Sequence, residues 1–204
     1  MTQNREQVED LRVRRTRKLL QQALIELTIE KGFTAVTVQD IAERAMVNRA
    51  TFYRHYLDKY DLLEQYMDEV YALTAPQEVL PVDQTQDPAS DNPPIGLVHM
   101  LKHVQQHADF YRVMLGKRGD PAFTQRVQQY VEQRQRSILP NVEAQINPSG
   151  PPLDLCLSYT AHAGVGAIVW WLAEGQSCSP EQVAMWLNQL SKANINLALA
   201  GSTA

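Results

Sequence analysis

Two groups of residues have types and spacings that could do chemistry. The first is the run Asn48-Arg49-Ala50-Thr51-Phe52-Tyr53-Arg54-His55-Tyr56, followed closely by Lys59. Arg49 and Arg54 carry guanidinium groups that fit guanine edges or phosphate oxygens. Tyr53, His55 and Lys59 suit phosphate oxygens. The small side chains of Ala50 and Thr51 allow a helix to approach base edges and thymine methyls closely. The second group is His99, His103 and His107, spaced i, i+4 and i+8, with Phe110 and Met114 on the same side. That stripe has three readings: exposed histidines with no further role, a ligand pocket lined by His103, His107, Phe110 and Met114, or a divalent-metal pair. No acid or cysteine beside it completes a metal set, so no metal is assigned. No Gly-rich phosphate loop, nucleophile elbow or zinc-protease helix motif occurs. No catalytic residues or cofactors are expected, and the chain is not read as an enzyme.

The first group needs a rigid support. A stripe of Leu20, Ala23, Leu24 and Leu27 predicts a helix over Arg14–Lys31, stopped by Gly32. Thr37 can cap a second helix, with Asp40 three residues on as a short variant of the capping box. Met46-Val47-Asn48 interrupts it, and Asn48 can cap a third helix over Arg49–Tyr56. Asp58 caps a fourth, from Lys59 to about Ala72. Val38, Ile41, Ala42, Ala45, Val47 and Phe52 form the apolar seam between the second and third helices. That leaves Arg49, Ala50, Thr51, Tyr53, Arg54 and His55 outside it. This is the layout of a helix-turn-helix reader, in which one helix fixes the angle at which the next enters the major groove; spacing alone fits equally a plain helical hairpin with a solvated basic face. Thr37, at a helix start, adds a phosphate-facing position.

Beyond residue 74 the composition shifts. Thr74–Ile95 holds five of the eleven prolines and four acids, with no Lys or Arg. It reads as a loop or linker between domains. Helical patterns resume over Gly96–Leu115, Pro121–Leu139, Leu153–Ala173 and Pro180–Ala198. The last starts on Ser179-Pro180-Glu181-Gln182, a serine cap with proline at the first helical position. With no strand pattern of useful length, the expected fold is all-α.

The 204 residues carry a formal net charge of −4, which taken whole argues mildly against nucleic acid. Divided at residue 60 the charge becomes +3 on the first part and −7 on the remainder. The basic face therefore coincides with the candidate reading helix. Cys156 and Cys178 are too few for a disulfide scaffold, and a reducing cytoplasm is the simplest setting. No secretory signal is read in residues 1–18. Leu153–Ala173 is long enough to span a membrane, but its Ser, Thr, His and Gly content and lack of basic flanks favour a core or interface helix.

Gly32-Phe33, Thr37-Val38-Gln39-Asp40-Ile41-Ala42, Val47 through Tyr56 and Lys59-Tyr60-Asp61-Leu62-Leu63 together resemble the TetR family of transcriptional regulators. The resemblance is dense over about 14–74. It implies an N-terminal three-helix DNA-binding domain (14–74, motif 37–56), preceded by a flexible basic arm (1–13). A Pro-rich acidic linker (75–95) and a C-terminal ligand-binding and dimerisation domain (96–204) would follow. By resemblance Thr37, Tyr53, His55 and Lys59 match positions that hold the DNA backbone, and Phe52 and Tyr56 match core positions. Arg49, Ala50, Thr51 and Arg54 fall on the variable reading surface, and Gln39 completes the DNA-binding set. The family usually has glycine where this chain has Met46, so the turn must either avoid positive φ or carry strain.

Phe110–Leu115, Gly119–Phe123, Trp170-Trp171-Leu172 and Ser179-Pro180-Glu181 resemble one subgroup of the family's C-terminal domains. Leu153–Ala173 and Pro180–Ala198 form the expected dimer face, with Ala161, Gly164, Ala167, Trp171, Trp186 and Leu190 at the contact, in a four-helix bundle. The expectation is a cytoplasmic homodimeric repressor. It would bind a palindromic double-stranded operator, be released by an unidentified small-molecule effector and have no membrane partner. The alternatives are a coactivator of the same fold, or a ligand or metal binder without specific DNA affinity.

Overall fold

The computed structural model describes residues 2–74, 92–137, 139 and 146–199, excepting the side chains of 2–10 and 73–74. Its elements run α1 (Thr2–Lys31), a short 3-10 turn (Phe33–Ala35), α2 (Val38–Arg44), α3 (Arg49–Tyr53), α4 (Lys59–Thr74) and α5 (Ile95–Gln106). They continue with α6 (Ala108–Met114), α7 (Pro121–Ser137), α8 (Leu153–Ala173) and α9 (Pro180–Ala198). The fold is all-α; the only extended pairing among the described residues is an isolated antiparallel bridge, Ile146 to Leu199.

The chain divides into two compact units. One comprises Met1–Ala72 with Asp109–Asp120, the other Leu73–Ala108 with Pro121–Ala204. In the first, α1 packs against the 3-10 turn and α2, and α2 against α3. Leu20, Leu24, Phe33, Ile41, Phe52 and Leu62 are fully buried. Phe110 of α6 joins this core, its ring edge-on to Tyr66 at 6.1 Å. Gly32 sits at φ 83 and ψ 145, a backbone region closed to residues with a Cβ. A Cβ there would also meet Arg118 Cβ and carbonyl oxygen at 3.1 Å. Glycine thus both ends α1 and admits the 116–120 segment.

Two helices differ from the expected bounds. The sequence reading starts the first helix at Arg14 and makes 1–13 an arm, whereas α1 is helical from Thr2. No Gly or Pro interrupts residues 2–31, so nothing local stops it. The helix expected over Gly96–Leu115 is broken at His107, whose φ of −115 and ψ of 35 end α5 before α6 begins. Most of the 75–95 linker lies outside the described residues.

In the second unit α8 packs on α7 and α9, and α9 on α5. Trp171 is fully buried, with its indole N–H donating to the Cys178 carbonyl at 2.9 Å. Asn194 ties α9 to α8, donating to the Cys156 carbonyl and the Thr160 hydroxyl, both at 2.7 Å. Lys102 and Glu181 pair α5 with α9 at 2.8 Å. Among the described residues α8 is the one helix long and apolar enough to cross a membrane. It is engaged with neighbours along one side, burying Cys156, Leu157, Thr160, Ala161, Val165, Trp171 and Leu172.

Candidate nucleic-acid interface

The reading head is built from capped ends. Thr37, in extended conformation, accepts from the Asp40 N–H at 3.2 Å, while its own N–H donates to Asp40 Oδ2 at 2.8 Å. This reciprocal box satisfies two donors that a helix start leaves orphaned. Lys31 from α1 adds an ion pair to the same carboxylate at 2.7 Å. Lys31 first, then Thr37, hold Asp40 down to about 2, so it stays ionised. Arg44, at the far end of α2, is clamped to Glu30 at 2.7 Å and to Glu26 at 3.2 Å on α1. The angle of α2 on α1 is thus fixed at both ends.

The turn that follows is a Schellman motif. The Met46 N–H donates to the Glu43 carbonyl at 3.0 Å and the Val47 N–H to the Ala42 carbonyl at 2.9 Å. Its geometry demands a left-handed residue, and Met46 takes it at φ 54. Of the two possibilities for this turn, the strained one is realised. Asn48 then caps α3, its side chain accepting from the Thr51 N–H at 2.7 Å.

α3 ends at Tyr53, earlier than the expected Tyr56, with Arg54 as its C-cap. Phe52 is its buried anchor, and the Tyr53 and Tyr56 rings pack around it at 5.5 and 5.8 Å. Arg49, Ala50, Tyr53 and Arg54 are exposed, and Thr51 and His55 half-buried. Arg49 lies with its guanidinium 6.0 Å from the Tyr53 ring centroid. Gln39 is exposed on α2, where it donates to Glu43 at 2.8 Å. His55 is held below its ordinary value by burial first, then by the charges of Arg17 and Arg54.

Thr37 and Lys59, like Gln39, have polar atoms engaged within the chain. The Thr37 hydroxyl also donates to Asp40 Oδ2 at 2.6 Å. Lys59 points back into the fold, with Nζ donating to the carbonyls of Phe33 (2.9 Å), Thr34 (3.1 Å) and Val36 (2.9 Å). The ammonium also lies 4.7 Å from the Phe33 ring centroid. All three ammonium hydrogens have partners, so Lys59 clasps the 3-10 turn that leads into α2. Sequence type alone gives no sign of this, because a lysine at a helix start reads as exposed.

The histidine stripe is rearranged by the break at His107. His103 and His107 rings lie 4.5 Å apart in the second unit, while Phe110 and Met114 are buried and belong to the first. The four residues do not share one helix face as the spacing predicts. Burial, with His107 beside it, pushes His103 down to about 4, and burial also lowers His107. His99 is exposed. Among the described residues no group of three or more His, Cys, Asp or Glu gathers as a metal set.

Of the expected dimer contacts, Trp186 and Leu190 are exposed and the other four are not. Ala161 and Trp171 face the interior of their unit, fully buried, and Gly164 and Ala167 are half-buried. The exposed apolar stripe of α8 is instead Leu155, Tyr159 and Trp170, matched on α9 by Trp186, Leu190 and Leu197. A helix apolar on every side cannot reveal which side turns inward.

A capped helix pair with a tight turn and an exposed polar and basic second helix, accompanied by a separate helical unit, defines a helix-turn-helix regulator architecture. The profile for bacterial regulatory proteins of the tetR family matches residues 20–66, and that for a transcriptional regulator C-terminal region matches 91–193. The chain belongs to the TetR family of transcriptional regulators. It is 40% identical over 76 residues to YdeS, an uncharacterized HTH-type transcriptional regulator of Bacillus subtilis, a match covering 37% of this chain and 36% of YdeS. The chain spans less than half the length of the curated relatives it matches. Among solved structures it is similar to a TetR transcriptional regulator from Streptococcus agalactiae 2603V, with TM-score 0.62 and 26% identity over 91% of this chain and 98% of that one. It shares its fold with NalD of Pseudomonas aeruginosa, the secondary repressor of the MexAB-OprM multidrug efflux pump. There the TM-score is 0.57 and identity 21% over 92% of this chain and 98% of NalD.

Proposed function

We propose that this chain is a cytoplasmic, homodimeric, sequence-specific repressor that binds a palindromic operator and releases it on binding a small molecule. The observation that carries the reading is the exposed surface of α3. Arg49 and Ala50 are exposed at its start with Thr51 half-buried beside them, while Asn48 and Phe52 fix the helix that bears them. N-terminal residues of a recognition helix are those that reach base edges. Tyr53, Arg54 and His55 follow as phosphate contacts, which set register without reading sequence.

Dimerisation supplies the second head. Leu155, Tyr159 and Trp170 on α8 with Trp186, Leu190 and Leu197 on α9 expose an apolar surface that a second copy would cover. Two heads in successive major grooves require half-sites about 34–36 Å apart, or a multiple. An effector held in the second unit would act by favouring a spacing that the operator does not match.

Substitutions in the head test the assignment of roles. Arg49→Ala or Thr51→Ala should change which sequences are preferred, whereas Tyr53→Phe should weaken all duplexes alike. Equal loss on every sequence for all three variants would contradict base reading by α3.

A further inference from the structure

DNA binding by the head gives no part to the histidines of α5. Spacing alone offers two chelating pairs, His99 with His103 and His103 with His107. The fold brings the second pair together, with ring centroids 4.5 Å apart and planes tilted by 42°. Both residues belong to the same unit and both are half-buried, whereas His99 is exposed. Each imidazole has two nitrogens, so one can coordinate an ion while the other keeps a partner in the protein. Burial favours the neutral ring, which is the form that coordinates.

The separation has a chemical consequence. With a metal–nitrogen bond of about 2.1 Å, an ion shared by both rings would lie roughly 3.2 Å from each ring centre. Centres 4.5 Å apart then subtend about 90° at the ion. That is the angle between neighbouring ligands in a square-planar or octahedral shell, and imidazole nitrogens so placed suit nickel and copper. The position on the helix favours a cation as well. His103 lies in the last turn of α5 and His107 is its C-cap, whose N–H donates to the His103 carbonyl at 3.1 Å. The negative end of the helix dipole falls there. Lys102, next to His103 in the chain, is paired with Glu181 of α9 at 2.8 Å.

We propose that His103 and His107 chelate one divalent transition ion of the nickel and copper class, with water completing its shell. The ion clamps the last turn of α5 by tying residue 103 to the C-cap. Two neutral nitrogens hold no attraction for hard ions such as Mg2+, which take oxygen ligands. The site stands whether or not the head reads DNA.

Calorimetric titration of the metal-free full chain, without a histidine tag, with Ni2+ at neutral pH tests it. One ion per chain should bind, and excess Mg2+ should not displace it. Loss of either ligand forfeits the chelate, so His103→Gln and His107→Gln should each weaken binding by about ten-fold or more. His99→Gln should change it by less than about three-fold, and circular dichroism of the variants separates a lost fold from a lost ligand. A second arm leaves the chain intact: in proton spectra, substoichiometric paramagnetic Cu2+ should broaden the ring signals of His103 and His107 before those of His55, His99 and His162. An absence of Ni2+ binding below millimolar concentration overturns the site. A loss in His99→Gln as large as in His107→Gln also overturns it, as does equal broadening of all five histidines, the mark of adventitious surface binding only.

Discussion

Met46→Gly should make the protein more stable, and the size of the gain follows from the turn. Met46 is the left-handed residue of the Schellman turn between α2 and α3, at φ 54. Holding an L-residue with a Cβ there costs about 1–2 kcal/mol. Its side chain is 90% exposed, so removing it forfeits almost no packing. Glycine loses more backbone freedom on folding, which takes back about 0.5–1 kcal/mol. The net gain is on the order of 0.5–1 kcal/mol, a rise of roughly 1–4 °C in Tm for a chain of this size. Met46→Ala is the control: it trims the side chain but keeps the Cβ, and should shift stability by less than about 0.5 kcal/mol. Calorimetry of the three proteins reads the difference. A glycine variant no more stable than the alanine variant would refute the claim that this turn stores strain.

Other consequences follow from particular contacts. Lys59→Met removes three hydrogen bonds to carbonyls and should destabilise the chain by on the order of 2–3 kcal/mol; a Tm equal to wild type would return Lys59 to a purely external role. His103 is neutral in the fold down to about 4 but protonates near 6.5 once unfolded. The unfolded chain therefore binds more protons between those values, so stability should fall as pH drops from about 6.5 toward 4, by on the order of 1–2 kcal/mol once solvent screening of this partly exposed ring is allowed for. In denaturant titrations across that window His103→Gln should flatten the loss, and an unchanged pH profile would contradict it. Leu190, 68% exposed, lies on the proposed dimer face. Leu190→Glu should shift the chain toward monomer in sedimentation runs, and an unchanged mass distribution would place the interface elsewhere.

What could be read in the sequence was local. The starts at Thr37, Asn48, Asp58 and Ser179 are each signalled by a short polar side chain that bonds a backbone N–H within a few residues. The buried faces of α1 and α4 follow from their 3–4 spacing. What escaped depends on partners far along the chain. Lys59 turns inward because carbonyls more than twenty residues earlier face it. The inward side of α8 is chosen by α7 and α9, and its uniformly apolar sequence does not encode the choice. The break at His107 has no glycine or proline to announce it.

The central claim is that α3 reads sequence in two symmetric copies. Selection of bound duplexes from a random pool by the full chain, followed by sequencing, tests it most directly. The account predicts enrichment of an inverted repeat whose half-sites are about one helical turn apart, or a multiple. It also predicts that Thr51→Ala changes the preferred bases within each half-site and leaves their spacing intact. Recovery of duplexes with no common repeat would contradict it, as would a repeat indifferent to substitutions in α3.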